Sequence, residues 1–222
     1  PEAQEGLYAE LATTGSGAWG RLQGDITSQL STTVAFPDGT EREMPMPAIR
    51  GLASHADEAT RRAGYEAEMN AWPRVAVVCA AAMNSIKGEA NTVNAKRHWE
   101  SPLEASLYGN SVSRPTFDAM QKAVTDSLPD FRQWMKTKSS LHASGESLPW
   151  WNMMAPLPVG ADNISWDEGI ASVRNAFGTY SPELAALVDR SINEKWLDAE
   201  PRDGKVGGAF CMPFVGDRSL VL

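Results

Sequence analysis

Helix-start signals recur along this chain, and they commit most of it to a succession of short and medium α-helices. Ser165-Trp166-Asp167-Glu168 is a well-formed capping box, in which a hydroxyl and a carboxylate satisfy each other's free backbone donors at a helix N-terminus. Ser181-Pro182 opens another helix, and Pro102 suits a first helical turn because its missing N–H would have no partner there. Ser54-His55-Ala56-Asp57 is a capping-box variant, and Ser127-Leu128-Pro129-Asp130 predicts a further N-terminus capped by Ser127 and Asp130.

Apolar spacing fills in the segments between these signals. Leu7 to Leu11 is helix-like, Thr13 to Gly17 interrupts it, and Leu22, Ile26 and Leu30 resume at four-residue spacing. Pro47 opens a short helix to Ser54, and Pro73 breaks the long pattern that follows. The helix resumes from Val75 to about Lys87, with Val75 to Met83 apolar enough for burial nearly all round. Gly88 to Ser101 is polar. Helices then follow with Leu103 and Leu107, with Phe117, Met120 and Val124, and with Phe131, Trp134, Met135 and Lys138 on their faces. Pro149 to Gly160 reads as loop, and Ile170, Val173 and Phe177 should face inward on the helix after it. Strand signals are confined to two places. Thr32 to Phe36, a Pro37-Asp38-Gly39 turn and Thr40 to Met44 form a hairpin; Gly208 to Phe214 and Ser219 to Leu222 read as strands near the end. The expected fold is mainly α with a small hairpin near each end, without internal repeats.

Composition removes several function classes. The formal charge of -8 and the lack of a Lys/Arg cluster exclude an electrostatic footprint for nucleic acid. No apolar run approaches the about 18 residues that span a bilayer. Two cysteines, Cys79 and Cys211, frame no disulfide scaffold and suit a reducing compartment, so the expected location is cytoplasmic. The chain begins at Pro1 without a methionine and stops on an apolar run, ends that look cut.

Short motifs give little on their own. Gly15-Ser16-Gly17-Ala18-Trp19-Gly20 matches a dinucleotide fingerprint literally, but no strand precedes it, and it reads as a flexible turn. Gly204-Lys205 lacks the spacing of a phosphate loop. His55, His98 and His142 have no H-E-x-x-H arrangement around them, so no metal site is expected within these residues. There is no G-x-S-x-G elbow, and Cys79 has the neighbours of an inert core thiol. Trp150-Trp151 is read as an anchor for its loop rather than a stacking platform.

The order of four segments is more informative. Asn84 to Lys87, Ser101-Pro102-Leu103-Glu104-Ala105-Ser106-Leu107, Ala155-Pro156-Leu157, and Pro201-Arg202-Asp203-Gly204-Lys205-Val206-Gly207-Gly208-Ala209-Phe210-Cys211 resemble the oligoendopeptidase F family of zinc metallopeptidases, related to thimet oligopeptidase. The resemblance runs from about Trp19 to the last residue. It implies a helical segment of a channel fold: residues 1–56 as an N-terminal helical part with hairpin, 57–198 as channel wall, and 199–222 as a β segment bordering the active site. It implies zinc held by an H-E-x-x-H helix and a further glutamate downstream of Leu222, so this chain alone is expected to be inactive. Gly207, Gly208, Ala209 and Phe210 would present backbone to short peptide substrates, and Arg202 and Lys205 read equally as solvated turn residues. Expected partners are peptides and either the remainder of the peptidase or a second copy. A non-catalytic helical peptide-binding or scaffold module is the alternative.

Overall fold

The computed structural model describes residues 2–157, 164–205 and 207–221. Nine helices and two antiparallel two-stranded sheets account for most of the described residues. Parts of the expected 149–160 loop and of the Ser219 to Leu222 strand lie outside the described residues.

Two helices, α1 (Glu2–Thr14) and α2 (Ser16–Ser28), are separated by Gly15 alone. Gly17 and Gly20 are helical, so the glycine motif is a one-residue break and not the flexible turn expected. A carboxylate from another element explains the sharp restart. Glu89 accepts the Ser16 N–H at 2.7 Å and the Ser16 hydroxyl at 2.6 Å, which caps α2 and sets the carboxylate where a Cβ at Gly15 would displace it.

Strands β1 (Ser31–Ala35) and β2 (Glu41–Pro45) form the first hairpin, pairing Thr33 with Glu43 around the Pro37-Asp38-Gly39 turn. Gly39 has φ +83°, a conformation glycine adopts without Cβ strain. α3 (Met46–Gly51) follows directly, with Pro47 in its first turn, and a 3-10 turn covers Leu52–Ser54. α4 (Glu58–Ala71) is capped by Asp57, which accepts from the Thr60 N–H and hydroxyl, rather than by Ser54. The core lies where hairpin, α3 and α4 meet. Val34 and Ile49 are fully buried there, and Leu30, Met46 and Ala71 pack with Trp72 and Val75.

Pro73 ends α4 as expected, through a 3-10 turn at Trp72–Val75, before α5 (Ala76–Lys96). Two expectations about α5 fail. It runs to Lys96, through the polar stretch, although Gly88, Asn91, Thr92, Val93 and Asn94 are weak helix formers; packing on α2 and the Glu89 bonds to Ser16 override propensity there. It is also not buried all round: Val77 is 83% exposed and Met83 64% exposed, while Ala82 is buried. Within the described residues α5 packs chiefly on α2, with lesser contact to the Trp72–Val75 turn and to the short α6 (Pro102–Gly109).

α7 (Arg114–Leu141) corrects a third expectation, since it runs unbroken through Pro129. Ser127 does not cap a new helix; its hydroxyl donates back to the Val124 carbonyl, as Thr125 does to Gln121. The proline costs one backbone bond in a helix whose other turns remain intact. Met120, Val124, Phe131 and Trp134 on this helix are exposed, and burial begins only at Lys138 and Ser139.

α8 (Trp166–Tyr180) starts with the predicted capping box in full, Ser165 and Glu168 each accepting from the other's backbone N–H. α9 (Pro182–Asn193) is capped by Ser181, and the two helices pack as a hairpin held by the Arg174–Asp189 pair. Val173 and Phe177 remain about half exposed rather than fully inward. Among the described residues, no helix is long and apolar enough to cross a membrane.

Candidate functional site

The segment after α9 folds around a buried tryptophan. Lys195 takes a left-handed turn (φ +57°), which sends Trp196 into the interior with its ring under the Arg190 guanidinium at 5.0 Å. Arg190 also donates to both oxygens of Asp217, at 2.7 and 3.0 Å, and to Glu194 at 2.7 Å. Its hydrogen bonds hold the Asp217 carboxyl down at about 2, and the carboxylates raise Arg190 in turn. One arginine thereby fastens the 214–218 turn to α9.

That turn joins β3 (Cys211–Pro213) to β4 (Ser219–Val221), which pair antiparallel with Met212 opposite Leu220. On its other side β4 meets Leu197 in a parallel bridge; Val221 donates to the Trp196 carbonyl and accepts from the Asp198 N–H. β4 is therefore central, and β3 is an open edge among the described residues. The Phe214 N–H bonds the Arg218 carbonyl, so by antiparallel alternation Met212 faces β4 while Cys211 and Pro213 turn their backbone groups outward. The open edge offers the Cys211 N–H and C=O and the Pro213 C=O.

Gly207, Gly208, Ala209 and Phe210 lead into this edge. They lie together in one exposed run, with Gly208 at φ +116°, but outside the ladder. The strand expected from Gly208 begins instead at Cys211, which pairs with Val221 at the end of the described partner strand, so no described residue stands opposite Ala209 or Phe210. Cys211 and Pro213 were thus missed as edge residues, although the apolar run Phe210 to Phe214 contained the signal.

Of the two turn residues, Arg202 is solvated as expected and Lys205 is not. Arg202 forks onto both oxygens of Asp198 and holds its carboxyl at about 2. Lys205, with its side chain only 8% exposed, donates to the carbonyls of Asp198 and Glu200. The turn they close docks on α2 through Gly204 N–H to the Ser28 carbonyl.

A second cluster fixes the loop after α7. Arg61, 2% exposed, donates to the carbonyls of His55, Ala56 and Trp151 and to the side-chain oxygen of the fully buried Asn152. Lys138 donates to the Met153 carbonyl at 2.7 Å, and burial with the nearby Arg61 charge lowers its pKa. Trp151 anchors this loop as expected, against Tyr65 and Arg62, while Trp150 is 71% exposed. The three histidines sit apart: His55 accepts from the Asp57 N–H, His98 is in a left-handed turn, and His142 follows α7. No three of His, Cys, Asp and Glu among the described residues are placed to hold a metal.

No family model matches the chain. Curated relatives do. Group B oligopeptidase PepB of Streptococcus agalactiae is 20% identical over 186 residues, 84% of this chain and 31% of that protein. Oligopeptidase PepF of Bacillus subtilis is 18% identical over an alignment covering 100% of this chain and 33% of that protein. Among solved structures, one from Bacillus anthracis described as an oligoendopeptidase F has a TM-score of 0.78 at 13% identity, covering 93% of this chain and 38% of that one. Pz peptidase A with an inhibitor has a TM-score of 0.72 at 13% identity, covering 88% of this chain and 35% of that one. The chain spans about a third of the length of the curated relatives it matches. By sequence it is similar to oligopeptidases named PepB and PepF, and its fold is that of a segment of the Bacillus anthracis structure.

Proposed function

We propose that this chain is part of a zinc-dependent, intracellular oligoendopeptidase that hydrolyses short peptides, in which it supplies channel wall and an edge strand for the substrate. The observation that carries the reading is the open edge of β3, approached through Gly207 and Gly208. An edge of this kind holds an extended peptide by main-chain hydrogen bonds, which suits substrates of many sequences. The absence of side chains at Gly207 and Gly208 lets a second backbone come close.

Zinc would polarise the scissile carbonyl and activate water when bound in the complete enzyme. This chain's own residues contribute positioning. Cys211 and Pro213 present one donor and two acceptors; Arg190, Arg202 and Lys205 fix the turns on either side of the strand. The 222-residue chain alone is expected to cleave no internally quenched peptide and to retain no stoichiometric zinc. Chelator-sensitive cleavage by the pure chain would refute that division of labour. Sequencing the gene past Leu222 tests the reading itself: an H-E-x-x-H within a few tens of residues supports it, and a stop codon there favours the non-catalytic peptide-binding module.

A further inference from the structure

Beside Gly207 lies a small pocket of about 200 Å³ whose walls include Gln23, Thr27, Arg50, Trp72, Lys205 and Gly207. Two cations and no carboxylate line it, in a chain whose formal charge is -8. Arg50 is paired with Glu68, and Lys205 with Asp198, which Arg202 shares.

The two cations differ in what they have to spare. Lys205 is occupied by the Asp198 and Glu200 carbonyls and supplies charge rather than a free donor. Arg50 donates only its Nε, to Glu68 at 2.8 Å, among the hydrogen bonds of the described residues. Glu68 also accepts from the Trp72 indole N–H, and the Arg50 guanidinium lies over that ring at 5.3 Å. Its orientation is thereby fixed on two sides, while its terminal nitrogens keep their donors. A planar fork held in this way suits the two oxygens of a carboxylate or a phosphate, and of the two a peptide carries the carboxylate. The Thr27 hydroxyl and the Gln23 amide add neutral polar surface to the same wall.

We infer that this pocket receives a carboxylate of a bound peptide, its C-terminus or an Asp or Glu side chain. The inference rests on the reading that a peptide lies along the β3 edge, since Gly207 belongs both to the pocket and to the approach to that edge. The volume admits a carboxylate on a short aliphatic arm. A peptide running past Cys211 toward Gly207 would bring its terminal or side-chain carboxylate to Arg50.

The test is a titration of the isotopically labelled full chain followed by NMR. Small probes come first: N-acetylalanine, which carries a carboxylate, and N-acetylalaninamide, which does not. The acid should shift the Trp72 indole N–H and the Arg50 Nε–H, and the amide should leave both in place. Arg50→Gln should weaken the acid about tenfold, as expected for losing a charge-assisted fork, and Arg50→Lys should fall between. Arg50 is largely exposed, so both variants should keep the native spectrum. An acid that shifts neither signal, or binds Arg50→Gln unchanged, overturns the inference. Peptides then separate the sources: pentaalanine as the free acid, as the C-terminal amide, and as the amide with one glutamate. Tighter binding of either carboxylate-bearing form than of the plain amide supports the inference and names its source. The Cys211 amide reports the edge separately. Trp72 responding to acid while Cys211 ignores every peptide would keep the carboxylate pocket and overturn the edge-strand reading.

Discussion

Glu89 accepts both the backbone N–H and the hydroxyl of Ser16, a residue 73 positions earlier, and so caps α2 from α5. A Cβ at Gly15 would stand 2.5 Å from the Glu89 carboxylate. Glu89→Ala and Gly15→Ala should therefore damage the same interaction, one by removing the carboxylate and the other by displacing it. In urea unfolding each is expected to lower the midpoint, and the double variant should be little worse than either single one. Additive losses would show that Gly15 is needed for another reason.

The Ser16–Glu89 bond also marks what the sequence could show and what it could not. Helix starts at Pro102, Ser165 and Ser181 were legible because the cap and the helix it serves are neighbours in the chain. The cap of α2 was not legible, since its carboxylate comes from another element. Burial of α5 was misjudged for a related reason: apolar composition states how much surface can be covered, but the covering partner is a tertiary fact. Pro129 failed as a boundary because its cost is finite and the flanking turns outweigh it. The edge strand starts three residues later than expected because its length is set by the register with β4, Cys211 opposite Val221, and register is a pairing fact that one strand's sequence does not carry.

Arg61 should be the most sensitive buried residue. Its guanidinium joins the 55–57 segment to the loop carrying Asn152, and no other group can satisfy those carbonyls together. Arg61→Ala should cost about 3 kcal/mol in unfolding free energy, and Arg61→Lys should recover only part, because an ammonium cannot reach both sides. Proteolysis near residues 150–157 should accelerate in both. An alanine variant as stable as the parent would show that the cluster is not a clamp.

Replacing Pro129 should act in the opposite direction. Pro129→Ala restores the donor to the Thr125 carbonyl within an otherwise regular helix, which predicts a gain of about 1–3 kcal/mol in the local stability of α7. Slower amide exchange over residues 124–134 is the readout. Unchanged exchange there would mean that the helix has adapted to the proline at no cost.

Acid should loosen both turns around β3. Arg202 lowers the Asp198 carboxyl, and Arg190 the Asp217 carboxyl, from 3.8 to about 2. A carboxyl depressed by folding stabilises the native state above its unfolded value, and that contribution disappears as pH falls through the folded one. The loss should thus fall between about pH 4 and pH 2, and carboxyl carbon shifts should titrate with midpoints near the lower end. Arg202→Ala should return the Asp198 midpoint toward 3.8 and leave Asp217 unmoved. Equal movement of both would mean that the two turns titrate as one unit.

Gly208 offers the sharpest separation between fold and binding. At φ +116° an L-residue with a side chain is strained, so Gly208→Ala should shift the lead-in to β3 even though a Cβ meets nothing within 4 Å. The cost should be about 1–2 kcal/mol, and it should stay local, because Gly208 is exposed and lies outside the ladder. The pairing of Met212 with Leu220 should survive, since β4 is held independently by Leu197 and Asp198. Peptide binding should weaken more than unfolding stability, because the approach to the Cys211 edge depends on the path of residues 207–210. NMR titration with an amidated peptide measures the first quantity and urea unfolding the second. If Gly208→Ala destabilises the chain but binds the peptide as before, the glycine serves only the turn, and the β3 edge does not depend on the approach that Gly207 and Gly208 provide.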